Sequence, residues 1–111
     1  MKKGYKCIFA VVNNGFAEEA MEAARACGAR GGTILHARGT MSKEAEIAFN
    51  ITIQPDKEIV MILAKVDQID SILKGLYNAI GTATKAQGIV FAIPVDESCG
   101  LDNAPKKAAD Q

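Results

Sequence analysis

Glu58-Ile59-Val60-Met61-Ile62-Leu63-Ala64-Lys65 is the most apolar run in the chain and decides how the rest is read. Both its odd and its even positions are apolar, so as a strand it needs cover on both faces of its sheet. Asp67 follows as a cap, and a helix is predicted over 68–80, where Ile69, Ile72, Leu73, Leu76 and Ile80 form one stripe. Gly81 ends it. Thr82 to Gln87 reads as a loop and Gly88 to Val95 as a last strand.

Upstream the same order appears. Residues 5–13 form a strand whose two faces are again apolar: Ile8, Ala10 and Val12 against Cys7, Phe9 and Val11. Asn13-Asn14-Gly15 is a turn and candidate cap. A helix over 16–27 places Phe16, Ala20, Ala23, Ala24 and Cys27 on one side. Glu18 and Glu19 in its first turn and Arg25 in its last suit the helix dipole, and Gly28 is its C-terminal cap. A second strand is read over 32–37. From Arg38 to Lys57 the chain is polar through Met41 to Glu46. It then alternates as Ile47, Phe49, Ile51 and Ile53, a strand-like pattern closed by a turn at Pro55-Asp56.

The order is β-α-β-β-α-β, an α+β ferredoxin-like fold with an antiparallel sheet and two helices on one face. Two helices cover one face only. The other face, apolar in two strands, is expected to be buried by further copies of the chain. One domain over residues 1–97 is expected, with a C-terminal tail from 98 to 111.

Hydrophobic residues make up 49% of the 111, enough for a packed core, and thirteen basic residues balance thirteen acidic ones. Zero net charge removes the footprint expected of a nucleic-acid binder and the polybasic case for a membrane surface. The run Cys7 to Val12 is too short for a signal-peptide core or a membrane span, so a cytoplasmic location is expected. Three cysteines without a Cys-x-x-Cys argue against a disulfide scaffold or a zinc site. Cys7 and Cys27 read as small buried residues; Cys99 falls in the tail.

The functional signal lies in Gly28-Ala29-Arg30-Gly31-Gly32-Thr33-Ile34-Leu35-His36-Ala37-Arg38-Gly39-Thr40. Glycines let backbone N–H groups approach an anion, and arginine offers a fork for phosphate or carboxylate. A helix cap, a tight turn and two solvated arginines account for the same residues. His36, the single histidine, has no Asp or Glu within three residues and no evident nucleophile beside it, so catalysis is not expected. Glu44 and Glu46, preceded by Lys43, read as a solvated loop rather than a carboxylate pair, while Met41 suits a contact surface.

This segment resembles the PII signal transduction proteins. Gly28, Gly31 and Thr33 match their Gly-x-x-Gly-x-Thr lead-in to the second strand, and Arg38 and Gly39 match the basic residue and glycine at the base of the T-loop. The likeness continues through Asp67 to Leu73 and Val90 to Glu97, covering about residues 5–97. It implies a homotrimer that binds ATP or ADP between subunits and engages a partner protein, a transporter or enzyme, through the T-loop, here about 39–50. By the resemblance, Thr33, Arg38 and Gly39 of one subunit and Thr82 of the next would line the nucleotide cleft. Gly31, His36 and Thr40 beside the first set, and Lys85 and Gly88 beside the second, complete the candidate effector residues, Lys85 being the one cation near Gly88 though not in the family's place. Met41, Ser42, Lys43 and Glu44 would form the partner-binding loop.

The sequence departs from the family in four places. Ile89 stands where the loop before the last strand should supply a lysine. Ser98-Cys99-Gly100-Leu101 replaces two phosphate-holding arginines. The loop is short and lacks its tyrosine, and the glutamine tied to 2-oxoglutarate has no counterpart near Thr40. Three cations are missing. At about 1–3 kcal/mol per charge-assisted bond, affinity for ATP falls by orders of magnitude, which leaves open another nucleotide, another anion or no small ligand at all. An amino-acid- or metal-binding regulatory module of the ACT or CutA type, on the same topology, is the alternative.

Overall fold

The computed structural model describes residues 4–40, 43–49 and 55–101. The elements are β1 (Tyr5–Asn13), α1 (Ala17–Ala26), β2 (Thr33–Arg38), α2 (Lys43–Phe49), β3 (Asp56–Lys65), α3 (Ile69–Ile80) and β4 (Ile89–Val95). The four strands form one antiparallel sheet in the order β2-β3-β1-β4. This is the ferredoxin-like α+β fold expected. The expected tail lies outside the described residues from 102 on.

Alternation decides which side chains meet the helices. Ile8, Ala10 and Val12 of β1 and Val60, Ile62 and Ala64 of β3 point to one face and are buried there. Ala20, Met21 and Ala24 of α1 and Ile69, Ile72, Leu76 and Ile80 of α3 pack onto them. The α3 stripe is the expected one, with Leu73 at its margin. In α1 it is rotated by one position: Ala17 and Met21 are buried, while Phe16, Ala23 and Cys27 are only partly so. Small residues let α1 lie close to α3. A Cβ at Gly75 would collide with the Cys27 sulfur, so the helices meet through a glycine and a thiol rather than interleaved large side chains.

The helix ends differ from expectation. Neither Asn13 nor Asn14 caps α1; Phe16 stands at its N-cap position without a side-chain bond. The cap comes from β3, where Glu58 Oε1 accepts from the Gly15 and Ala17 N–H groups at 2.9 and 3.1 Å. Nor does Asp67 cap α3. It sits inside a single 3-10 turn, Val66–Gln68, that leads straight into the helix. Gly28, in contrast, is the cap that was read: at φ +111° its N–H bonds to the Arg25 carbonyl, and the Ala29 N–H to that of Ala24.

The segment read as strand-like from Ile47 is helical over Lys43–Phe49. Ile51 and Ile53 lie outside the described residues. Lys, Glu and Ala dominate 43–48, and these are strong helix formers. Two apolar residues two apart do not outweigh them. Asp56 opens β3 rather than ending a turn, and the Gly39 N–H closes onto the Pro55 carbonyl at 2.8 Å.

The sheet's second face carries no helix. Phe9 and Phe91 stack across β1 and β4 with ring centroids 5.3 Å apart. Around them Leu35, Leu63, Phe91 and Ile93 remain 42–44% exposed, and Ile89 59%. Cys7, in register with Leu63 and Ile93, is buried, and this burial pushes its thiol pKa up. Cys27 is half-buried and Cys99 exposed.

Candidate functional site

The candidate residues divide between the two ends of the sheet. Thr33 and Arg38 are the first and last residues of β2, about 17 Å apart at about 3.3 Å per residue. They also point to opposite faces. Thr33 is in register with Met61 on the open face, whereas His36 is in register with Glu58 on the helix face.

At the first end, Gly28 to Thr33 line a cleft of about 340 Å³ with Tyr5, Met61, Leu63, Lys65, Gln68 and Leu101. Its cations are Arg30 and Lys65, both exposed. Two neighbouring glycines play different parts there. A Cβ at Gly32 would press to 2.7 Å from the Met61 carbonyl, so Gly32 permits the close approach of this loop to β3; Gly31 has open space beside it. Tyr5, Lys65, Gln68 and Leu101 were not legible as site residues, because they come from three separate segments that only the folded sheet gathers.

At the second end lie His36, Arg38, Gly39 and Thr40, with Arg38 in register with Asp56. The stem of Lys57 runs alongside Gly39: a Cβ on Gly39 would sit 3.0 Å from Lys57 Cε. Lys57 thus brings a cation to the loop base that sequence spacing did not mark. The loop that follows α3 reaches the same end of the sheet on the other side. There Thr82 and Lys85 are exposed, and the Gly88 N–H bonds to the Ile80 carbonyl at 2.7 Å. A Cβ at Gly88 would overlap that carbonyl oxygen, so a glycine is required there by packing alone.

β2 and β4 are the two edges of the sheet. Three strand spacings, about 14 Å, separate Arg38 and Gly39 from Lys85 and Gly88. A single chain therefore keeps the two sets apart. Lys43 and Glu44 open α2, both exposed, and Ile47 on the same helix is 79% exposed. Met41 and Ser42 lie outside the described residues. Among the described residues no group of three His, Cys, Asp or Glu side chains is placed to hold a metal ion, and no helix is long and apolar enough to cross a membrane.

Neither a protein-family model nor a curated protein sequence matches this chain. Solved structures do. The chain is similar to PII of Arabidopsis thaliana, in a crystal structure with bound citrate, at a TM-score of 0.63 and 21% identity. The match covers 86% of this chain and 78% of the other. At that identity the likeness shows the fold: the chain has the ferredoxin-like fold of a PII protein.

Proposed function

We propose that this chain is a PII-like regulator without catalytic activity of its own. It assembles as a homotrimer, binds a small anionic effector between subunits, and signals through the loop at 39–50 to a partner protein. The effector class is an adenine nucleotide or a smaller anion, and the PII likeness points to nitrogen metabolism as the setting.

One observation carries the reading. The open apolar face is bordered by two part-sites on opposite edges, Arg38 and Gly39 beside β2 and Thr82, Lys85 and Gly88 beside β4. Packing that face against copies of itself buries the apolar surface, and a cyclic arrangement sets the β2 edge of one subunit against the β4 edge of the next. Each cleft then receives both part-sites. Lys57 beside Gly39 supplies a cation there, which offsets part of the loss of the three cations absent from the PII pattern. Arg30 and Lys65 lie at the opposite end of the sheet. Exposed Ile47 on α2 offers the loop an apolar contact.

Isothermal titration calorimetry with ATP, ADP and AMP, with and without Mg²⁺ and 2-oxoglutarate, tests the reading. Heat is expected with at least one ligand and is lost in Arg38→Ala, an exposed position. A folded oligomer that gives no heat with any of them overturns the nucleotide reading.

A further inference from the structure

Asn13 is the only buried polar residue among the described residues, at 4% exposure. It ends β1, between the base of the 39–50 loop and the loop after α3. Lys57 Nζ donates to its Oδ1 at 2.6 Å. Its Nδ2 donates to the Lys85 carbonyl at 3.1 Å and to Gln87 Oε1 at 3.3 Å. Its backbone N–H donates to the Ala86 carbonyl at 2.9 Å.

The chemistry fixes the direction of this relay. An ammonium only donates, so the amide must turn its oxygen to Lys57 and its NH₂ to the two acceptors. Gln87, itself a partner in this relay, has an uncommon backbone conformation. At φ +48° it is the one non-glycine residue with positive φ among those described. Such a conformation persists where surrounding contacts hold it. Here the Asn13 amide and the Gln87 N–H bond to the Thr84 carbonyl do so.

We propose that Asn13 is a positioning residue that locks the 81–88 loop to Lys57, so that the part-sites on the two edges of a subunit move together. The functional meaning rests on the reading of the two edges as halves of neighbouring effector clefts. In such an assembly Asn13 links one cleft to the next through the body of a single subunit.

Hydrogen–deuterium exchange of the intact chain tests the link without any effector. Lys57→Met keeps the stem and removes the donor, whose hydrogen bond goes to Asn13. Asn13→Asp keeps the acceptor for Lys57 but turns an oxygen toward the Lys85 carbonyl. Both are expected to speed exchange of the Gln87 and Gly88 amides at least tenfold. Amides of residues 59–63 stay at the wild-type rate, and Lys57→Arg restores protection. Unchanged exchange at 81–88 in Lys57→Met, or a rise that merely follows the whole chain, overturns the proposal. Should Asn13→Asp fail to fold, Lys57→Met alone decides. A failed nucleotide titration leaves the exchange result standing, and the reverse holds too, so the two readings fall separately.

Discussion

Replacing Phe91 by alanine removes one of the two stacked phenylalanines at the centre of the open sheet face. Phe91 keeps 44% of its surface exposed in the single chain. With about 200 Å² for a whole phenylalanine side chain, some 90 Å² awaits cover. At about 25 cal/mol per Å² that is about 2 kcal/mol per subunit. In the proposed trimer the loss is repeated three times, so Phe91→Ala is expected to weaken assembly by about 6 kcal/mol, roughly four decades in the overall association constant. The substitution also ends the stack on Phe9, which lowers the stability of the single chain by a further amount on the order of 1 kcal/mol. Sedimentation velocity across a concentration series separates the two effects, because only assembly depends on concentration. Ile47→Ala, on α2 rather than on a strand of the sheet, serves as the control and leaves assembly unchanged. Leu35→Ser, on the edge strand and 42% exposed, repeats the test should Phe91→Ala lose its fold. A wild-type chain that stays monomeric at tens of micromolar, or a Phe91→Ala midpoint equal to wild type, refutes the argument.

Three further outcomes follow from the packing. Glu58→Ala removes the acceptor for two N–H groups at the start of α1 and is expected to cost about 1–2 kcal/mol in urea unfolding, with Glu58→Gln recovering most of it. Gly88→Ala drives a methyl group into the Ile80 carbonyl, so it lowers the melting temperature sharply, and its loss of ligand binding would report misfolding; Lys85→Ala, at an exposed side chain, melts as wild type. Cys99 reacts with a thiol reagent at pH 8 while Cys7 does not. Burial raises the Cys7 pKa above its ordinary 9.0, so the unfolded chain loses this proton first. The contribution of Cys7 is therefore complete below pH 9.0 and is lost as pH rises through the higher folded value; a Cys7→Ser variant, compared by unfolding at pH 8 and 10, has the flatter profile.

Much of the fold was legible because its signals are local. The two-faced apolar runs of β1 and β3, the α3 stripe and the Gly28 cap each depend on residues within one element or one turn. The capping misreadings share one cause. Asn13, Asn14 and Asp67 have the chemistry of caps, but the bond that α1 receives comes from Glu58, more than forty positions away. Ile47 and Phe49 fit a strand only if the helix-forming strength of the residues around them is set aside.

The site was less legible for the same reason. Glycines and arginines between 28 and 40 stood out by composition, yet alternation along β2 sends Thr33 and His36 to opposite faces, and the length of the strand parts Thr33 from Arg38. Lys57 and Asn13, widely separated in the chain, meet because antiparallel pairing sets them side by side.

By itself the sequence determined the four strands and two long helices, the two-layer fold and the apolar character of the second sheet face, since periodicity and apolar content are properties of neighbours along the chain. Only the tertiary structure decided which polar groups face one another and which edge carries which candidate residues, because strand register and helix approach are set by long-range packing that no local pattern encodes.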